Sequence, residues 1–237
     1  MGPVAGPASR LSNRLVFASS VLRLLTEKNA AGFTTGLPVL RPAPRRIVNL
    51  VSTMDRFRET GAYLRGHFRL TSGLHSEEYL QCALVLQHPS IAEQFGRELA
   101  AKSGKADLVA SPAVGGLIIG HEVARAIGAR FIFTERDAAG KMTLRRGFSV
   151  KPGETAIVIE DVVTTGGSTR EVIELLQAAG VRVLGAGSII DRSGGKAELG
   201  VPRVALETLN VVAFQPDDCP LCKRGIPVEK PGSRPTA

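Results

Sequence analysis

From Met54 onward the apolar positions alternate between two rhythms, one of helical spacing and one of short unbroken runs. Met54–Arg65 carries apolar residues at helical spacing and ends near Gly66, which predicts a helix, and Phe68-Arg-Leu-Thr-Ser-Gly reads as a short strand and turn. Pro89 opens a second helix through Ile91, Phe95 and Leu99 that stops around Gly104. Leu108-Val-Ala-Ser is a short buried strand, Gly115–Ile127 the helix after it, and Phe131-Ile-Phe the next strand. Ala156–Val163 is an apolar run of the kind found in parallel strands, and Ser168–Ala179 an amphipathic helix closed by Gly180. Val183–Ile190 is a further strand, with Val204–Leu206 and Leu209–Phe214 as candidates beyond it.

Strands that alternate with helices imply βαβ units, because parallel neighbours need a crossover connection. The expected class is therefore α/β, with a doubly wound, mostly parallel sheet. Composition sharpens this. Nine Phe, two Tyr and no Trp leave small aliphatic side chains to fill the core, and 43% hydrophobic content is enough to build one. No run approaches the roughly 18 apolar residues of a membrane span, so a soluble protein with no membrane partner is expected.

The most informative stretch is Ala156-Ile-Val-Ile-Glu-Asp-Val-Val-Thr-Thr-Gly-Gly-Ser-Thr-Arg. Its apolar run is a central strand. Two acids, Glu160 and Asp161, stand at the carboxyl end, where open α/β sheets bind ligands. Val162, Val163, Thr164, Thr165, Gly166, Gly167 and Ser168 then turn into the next helix. The glycines let backbone approach a ligand, the hydroxyls donate, and the first amides of the helix favour a phosphate. Acids beside such a cradle accept hydrogen bonds from ribose hydroxyls, so the pattern describes a grip on ribose 5-phosphate. An ordinary capped helix with solvated acids is the alternative. A dinucleotide fold has little support, since no G-x-G-x-x-G follows a strand.

This strand, acid pair and Thr-Thr-Gly-Gly-Ser loop resemble the signature of type I phosphoribosyltransferases, which use phosphoribosyl pyrophosphate and magnesium. Over most of residues 54–234 the chain resembles the orotate phosphoribosyltransferases in particular, on Phe68-Arg-Leu-Thr-Ser-Gly-Leu-His-Ser-Glu-Glu-Tyr, Ser111-Pro-Ala-Val-Gly-Gly and Ile189-Ile-Asp-Arg192. The resemblance implies that family's fold with a small amino-terminal hood. It places residues 160–168 on phosphoribosyl pyrophosphate, the loop after Ser111 on pyrophosphate, and Thr164 and Arg192 on orotate. A planar carboxylate does suit a guanidinium fork, with a surface salt bridge as the alternative role for Arg192.

Glu135–Gly147 is a polar segment between two strands, with the length and composition of a mobile lid. The resemblance implies that such a lid closes over the site, commonly from the partner subunit of a homodimer. Arg136 and Lys141 are its candidates for pyrophosphate, and with Asp161 they make up the candidate catalytic set. The segment departs from the common pattern in lacking His, and Thr71 stands where many members carry Lys. A solvated charged hairpin is the alternative. Magnesium is expected on substrate oxygens, with few or no protein ligands.

The net charge of +8 does not indicate a nucleic-acid partner, because residues 1–53 hold seven Lys/Arg against Glu27 alone and so carry +6 of it. That segment reads as a basic, disordered extension or a stretch upstream of a true start at Met54; an organelle transit peptide has a similar composition. Residues 54–237 form the expected phosphoribosyltransferase domain. Three cysteines make no closed disulfide framework, which fits a reducing cytoplasm. Cys219-Pro-Leu-Cys222 supplies only two ligands without a nearby His, so a structural turn is preferred over metal or redox chemistry. Its surroundings resemble the tails of one subgroup of orotate enzymes. His75 is a candidate near the ligand loop, while His67, His88 and His121 read as ordinary turn or helix residues. Action on a purine or another base, or a regulatory binding protein of the same fold, remain the competing readings.

Overall fold

The computed structural model describes residues 51–70 and 72–231. The expectations for residues 1–50 and for Thr71 fall outside them. Helix α1 (Thr53–Glu59) starts at Ser52, whose hydroxyl accepts from the amide of Asp55 at 3.1 Å. It is shorter than the helix expected over Met54–Arg65. Gly61 turns the chain at positive φ, and Tyr63–Arg69 continues as strand β1 instead. Strand β2 (His75–Leu80) returns antiparallel to β1 and makes a separate two-stranded sheet.

Next come α2 (Cys82–Leu86), α3 (Pro89–Ser103), β3 (Leu108–Pro112), α4 (Gly116–Ile127), β4 (Arg130–Arg136), β5 (Met142–Leu144) and β6 (Thr155–Val163). They are followed by α5 (Gly167–Ala178), β7 (Arg182–Asp191), β8 (Arg203–Thr208), a 3-10 turn (Pro216–Asp218) and α6 (Pro220–Lys223). The main sheet has the order β5-β4-β3-β6-β7-β8. All its pairs are parallel except β4 with β5. Chain order runs outward from the middle in both directions, so the sheet reverses its winding between β3 and β6. The carboxyl ends of these two strands flank the crevice where doubly wound folds bind ligands.

Strand β6 shows why this sequence makes a central strand. Its side chains alternate between two buried faces, so both sets must be apolar. Ile157 and Ile159 pack with Phe95, Leu99, Ile119 and Val123 from α3 and α4. Ala156 and Val158 pack on the other face with Val172, Ile173 and Leu176 from α5. Each fully buried Val, Leu, Ile or Phe side chain among these contributes about 1.5–3 kcal/mol. The run therefore has no polar position until Glu160, at its carboxyl end.

Two expectations concern the edges of the sheet. The segment Glu135–Gly147, expected as a lid between two strands with a charged hairpin as the alternative, is itself a hairpin, because β4 reaches Arg136 and β5 pairs back on it, Arg136 opposite Met142. Leu209–Phe214, expected as a candidate strand, is not one. It leaves the sheet and makes only isolated bridges, among them His75 with Phe214. The tail then returns to the hairpin, with a second bridge between Phe68 and Glu229.

Candidate active site

Three strand ends meet at the crevice. β6 ends in the acids. Glu160 is buried, and its Oε1 accepts from the amide of Asp161 at 3.3 Å. Asp161 is half-buried, and its Oδ1 accepts from the amide of Val162 at 2.8 Å. Burial holds the Asp161 carboxyl above the ordinary carboxylate range, against its hydrogen bonds with Glu160 and Val162. Thr164 and Thr165 are exposed, Gly166 is buried, and Gly167 and Ser168 are half-buried. Gly166 sits at φ 78° and caps α5. A β-carbon there would also stand 2.5 Å from Leu199. The first turn of α5 contains no acid. Helix-start amides have no carbonyl one turn back, so this turn offers donors and a partial positive charge to an anion.

The loop after β3 runs against the acids. A β-carbon on Gly115 would lie 2.6 Å from Oδ1 and 2.7 Å from Oδ2 of Asp161. The peptide between Ala113 and Val114 is cis, and Val114 is exposed. The two loops are thus in direct contact, with only hydrogen at position 115 leaving room for the carboxylate.

β7 supplies Arg192 at its end, and the Arg192 amide donates to the Val163 carbonyl at 2.8 Å. The side chain lines a cavity of about 190 Å³ with Arg58, Tyr63, Glu78, Leu80 and Asn210. Its Nε is buried without a hydrogen-bond partner, and Arg192 forms no ion pair among the described residues. The surface salt bridge is therefore not its role here. Burial lowers the guanidinium from its ordinary value, opposed by Tyr79, Cys82 and Glu78. Burial raises the Tyr79 phenol, with Arg192 opposing the shift and Asp161 adding to it. A buried cationic donor without a partner in a cavity offers a charged hydrogen bond to an anion.

The lid candidates lie on the β4–β5 hairpin. Arg136 donates to the Gly140 carbonyl at 2.6 Å and pairs with Glu171 of α5 at 2.8 and 3.0 Å. Lys141 is exposed, and its amide donates to Asp137 at 2.9 Å. Arg146 pairs with Glu135 at 2.7 Å. Glu135–Gly147 is thus a charged hairpin whose Arg136 is held by a carboxylate in this state.

The family model for the phosphoribosyl transferase domain matches residues 83–216. A protein named orotate phosphoribosyltransferase from Pelotomaculum thermopropionicum is 57% identical over 180 residues, which covers 75% of this chain and 94% of that one. Another of the same name from Thermotoga petrophila is 54% identical over 178 residues, covering 74% and 95%. The chain belongs to the orotate phosphoribosyltransferases. The crystal structure of orotate phosphoribosyltransferase from Aeropyrum pernix superposes with a TM-score of 0.56 at 28% identity, covering 65% of this chain and 91% of that one.

Against this family background, several site residues were missed in the sequence. Arg58, Tyr63, Glu78 and Asn210 all line the Arg192 cavity. Tyr63 hydroxyl donates to Glu78 across the hairpin. Only Glu78 lies in a quoted motif, where it was given no role, and the four meet only because β1 and β2 fold over the end of β7. The one available signal was the Tyr and Glu cluster around Phe68–Tyr79, where hydrophobic alternation breaks down.

The Cys219-Cys222 reading also needs correction. His67 and His75, expected to be unrelated to it, lie beside both cysteines, with the four ligand atoms within 4.8 Å of one another. His67 is 2% exposed and so is not an ordinary turn histidine.

Proposed function

We propose that this chain transfers ribose 5-phosphate from phosphoribosyl pyrophosphate to orotate, giving orotidine 5′-monophosphate and pyrophosphate in pyrimidine biosynthesis. The observation that carries this reading is the partnerless Nε of Arg192, in a cavity at the end of β7, with the Arg192 amide bonded to Val163 on the strand that carries Glu160 and Asp161.

The loop Thr164–Ser168 and the start of α5 hold the 5-phosphate, while Glu160 and Asp161 accept from the ribose hydroxyls. Orotate lies in the cavity with its carboxylate on Arg192, and Thr164 reaches it from the loop. A ring nitrogen of orotate forms the new bond to C1 of the sugar and gives up its proton to solvent. The bond from C1 to the pyrophosphate oxygen breaks, and pyrophosphate leaves with the electron pair. Positive charge develops on the ring oxygen and C1, and negative charge on the leaving group. Lys141 and Arg136 stabilise that leaving group once the hairpin closes and excludes water.

The donors gathered here are all oxygen, the Glu160 and Asp161 carboxylates and the Thr164 and Thr165 hydroxyls, and that set suits magnesium. Glu160, Asp161, Thr164 and Thr165 would be the residues nearest such an ion, with substrate oxygens as its main ligands. When bound, magnesium neutralises charge on the departing pyrophosphate.

A homodimer with the hairpin shared across the interface, acting in the cytoplasm, is part of the same proposal. Among the described residues no helix is long and apolar enough to cross a membrane. Pyrophosphate release should depend on orotate and magnesium and should not occur with adenine, guanine or hypoxanthine. Release with a purine and none with orotate would reject the reading. Sedimentation analysis at micromolar concentration tests the dimer.

A further inference from the structure

The tail and the hairpin meet at a cluster that the transfer reaction does not use. His67 on β1 and His75 at the start of β2 face Cys219 and Cys222, 152 residues from His67 in the case of Cys219. His67 Nε2 lies 2.9 Å from His75 Nδ1 and 3.5 and 3.7 Å from the Sγ atoms of Cys219 and Cys222. Cys222 Sγ is 3.3 Å from His75 Nδ1. A tetrahedral zinc ion with ordinary Zn–N and Zn–S bonds needs ligand atoms about 3.3–3.8 Å apart. The 3.3, 3.5 and 3.7 Å separations fall in that range, the two imidazoles are closer at 2.9 Å, and all four atoms lie within 4.8 Å of one another.

We infer that His67, His75, Cys219 and Cys222 form a structural zinc site. Three further observations support this assignment. Three of the four side chains are buried, with Cys219 0% exposed, so the pocket excludes solvent from all but the Cys222 edge. His67 Nδ1 donates to the Ile226 carbonyl at 2.7 Å, which fixes the tautomer that leaves Nε2 as a ligand. Two sulfurs and two imidazoles are the donor set and geometry that select zinc over magnesium or calcium. All four positions are filled by protein, so the site is closed and offers no place for substrate.

The backbone around the cluster shows what such an ion would hold together. The His75 amide donates to the Phe214 carbonyl at 2.9 Å, and the Phe214 amide returns the bond at 2.8 Å. Glu229 donates to the His67 carbonyl at 2.8 Å and accepts from the Arg69 amide at 2.8 Å. These few bonds attach the tail to a two-stranded sheet, a unit of marginal stability on its own. Zinc would fasten tail and hairpin at one point, and the same hairpin brings Tyr63 and Glu78 to the Arg192 cavity.

The test uses untagged full-length protein, purified under reducing conditions without a metal column and dialysed against metal-free buffer. Elemental analysis should give about one zinc per chain, and stripping with a strong chelator should lower Tm by on the order of 10 °C. Cys222→Ser and His75→Ala should each retain less than about a tenth of that zinc. Replacing zinc with cobalt(II) in the wild-type protein should give the intense visible bands of a tetrahedral thiolate site, a readout that holds even if neither variant folds. Wild-type protein that is metal-free and takes up neither zinc nor cobalt overturns the assignment. So does full zinc retention by both variants, or a Cys219–Cys222 disulfide in the freshly isolated protein.

Discussion

The amide of Arg192 donates a 2.8 Å hydrogen bond to the carbonyl of Val163. The orotate candidate just after β7 is therefore positioned by the backbone of β6, the strand that carries Glu160 and Asp161. The two candidate sites are fixed to each other through main chain rather than through flexible side chains.

Arg192→Ala should raise KM for orotate by about 10- to 100-fold, the cost of losing hydrogen bonds from a charged donor. Binding of phosphoribosyl pyrophosphate, measured by calorimetry, should stay within about threefold of wild type. Arg192→Lys should recover only part of the loss, because an ammonium cannot present the same fork. Equal weakening of both substrates would remove Arg192 from the orotate site.

Gly115→Ala tests the contact between the two loops. Gly115 has φ −57°, which any residue adopts, so the backbone tolerates alanine. The new methyl group instead meets the Asp161 carboxylate at 2.6 Å. Turnover should fall about 100-fold with little change in Tm, since a displacement of this size at a reacting centre is costly. Normal kcat in the variant would show that Asp161 need not keep its place.

Asp161 also gives a pH signature. Its folded carboxyl is raised by burial, so the acid limb of kcat/KM should lie above the ordinary aspartate range and vanish in Asp161→Asn, with at least about tenfold lower activity. The linkage has the opposite sign for stability. A carboxyl that holds its proton more tightly when folded favours the folded state below its unfolded pKa, and loses that contribution as pH rises through the folded value. Asp161→Asn should therefore have a higher Tm than wild type at neutral pH, with the difference shrinking in acid. Calorimetric scans across that range check it.

The hairpin predicts a division between binding and turnover. Lys141→Ala should lower kcat about 100-fold or more and leave the Kd for phosphoribosyl pyrophosphate nearly unchanged. The Arg136–Glu171 pair is exposed, with side chains 40% and 39% accessible, so opening it costs about 0–1 kcal/mol. Glu171→Gln should accordingly leave Tm within about 2 °C and not reduce kcat. A large drop in kcat would mean that Glu171 positions Arg136 for catalysis rather than parking it.

The parts of this fold that were legible in the sequence are those where one short stretch contains its own reason. Ala156–Ser168 holds apolar strand, acids, turn glycines and helix start in unbroken order, so the central strand, its turn and the start of α5 could be read directly. Pro89 and Gly104 likewise mark the ends of α3. What could not be read depends on distant pairing. β2 has the polar sequence His-Ser-Glu-Glu-Tyr-Leu, whose strand state comes from β1 and the tail rather than from its own pattern. β5 is three residues long, too short to show alternation. Tyr63, Glu78 and Asn210 converge on Arg192, and His67 and His75 on Cys219 and Cys222, only after the tail has crossed back to the hairpin. No local spacing encodes either meeting.

The pairing of β6 with β7 runs from Thr155 opposite Arg182 to Val163 opposite Asp191, with its only irregularity between Ala156 and Ile157. Side chains change face at every residue, so inserting or deleting a single amino acid between that bulge and Val163 would turn Glu160 and Asp161 inside out. Length variation among natural or engineered relatives should therefore be tolerated at the Gly140 turn on the sheet's rim and purged from this strand.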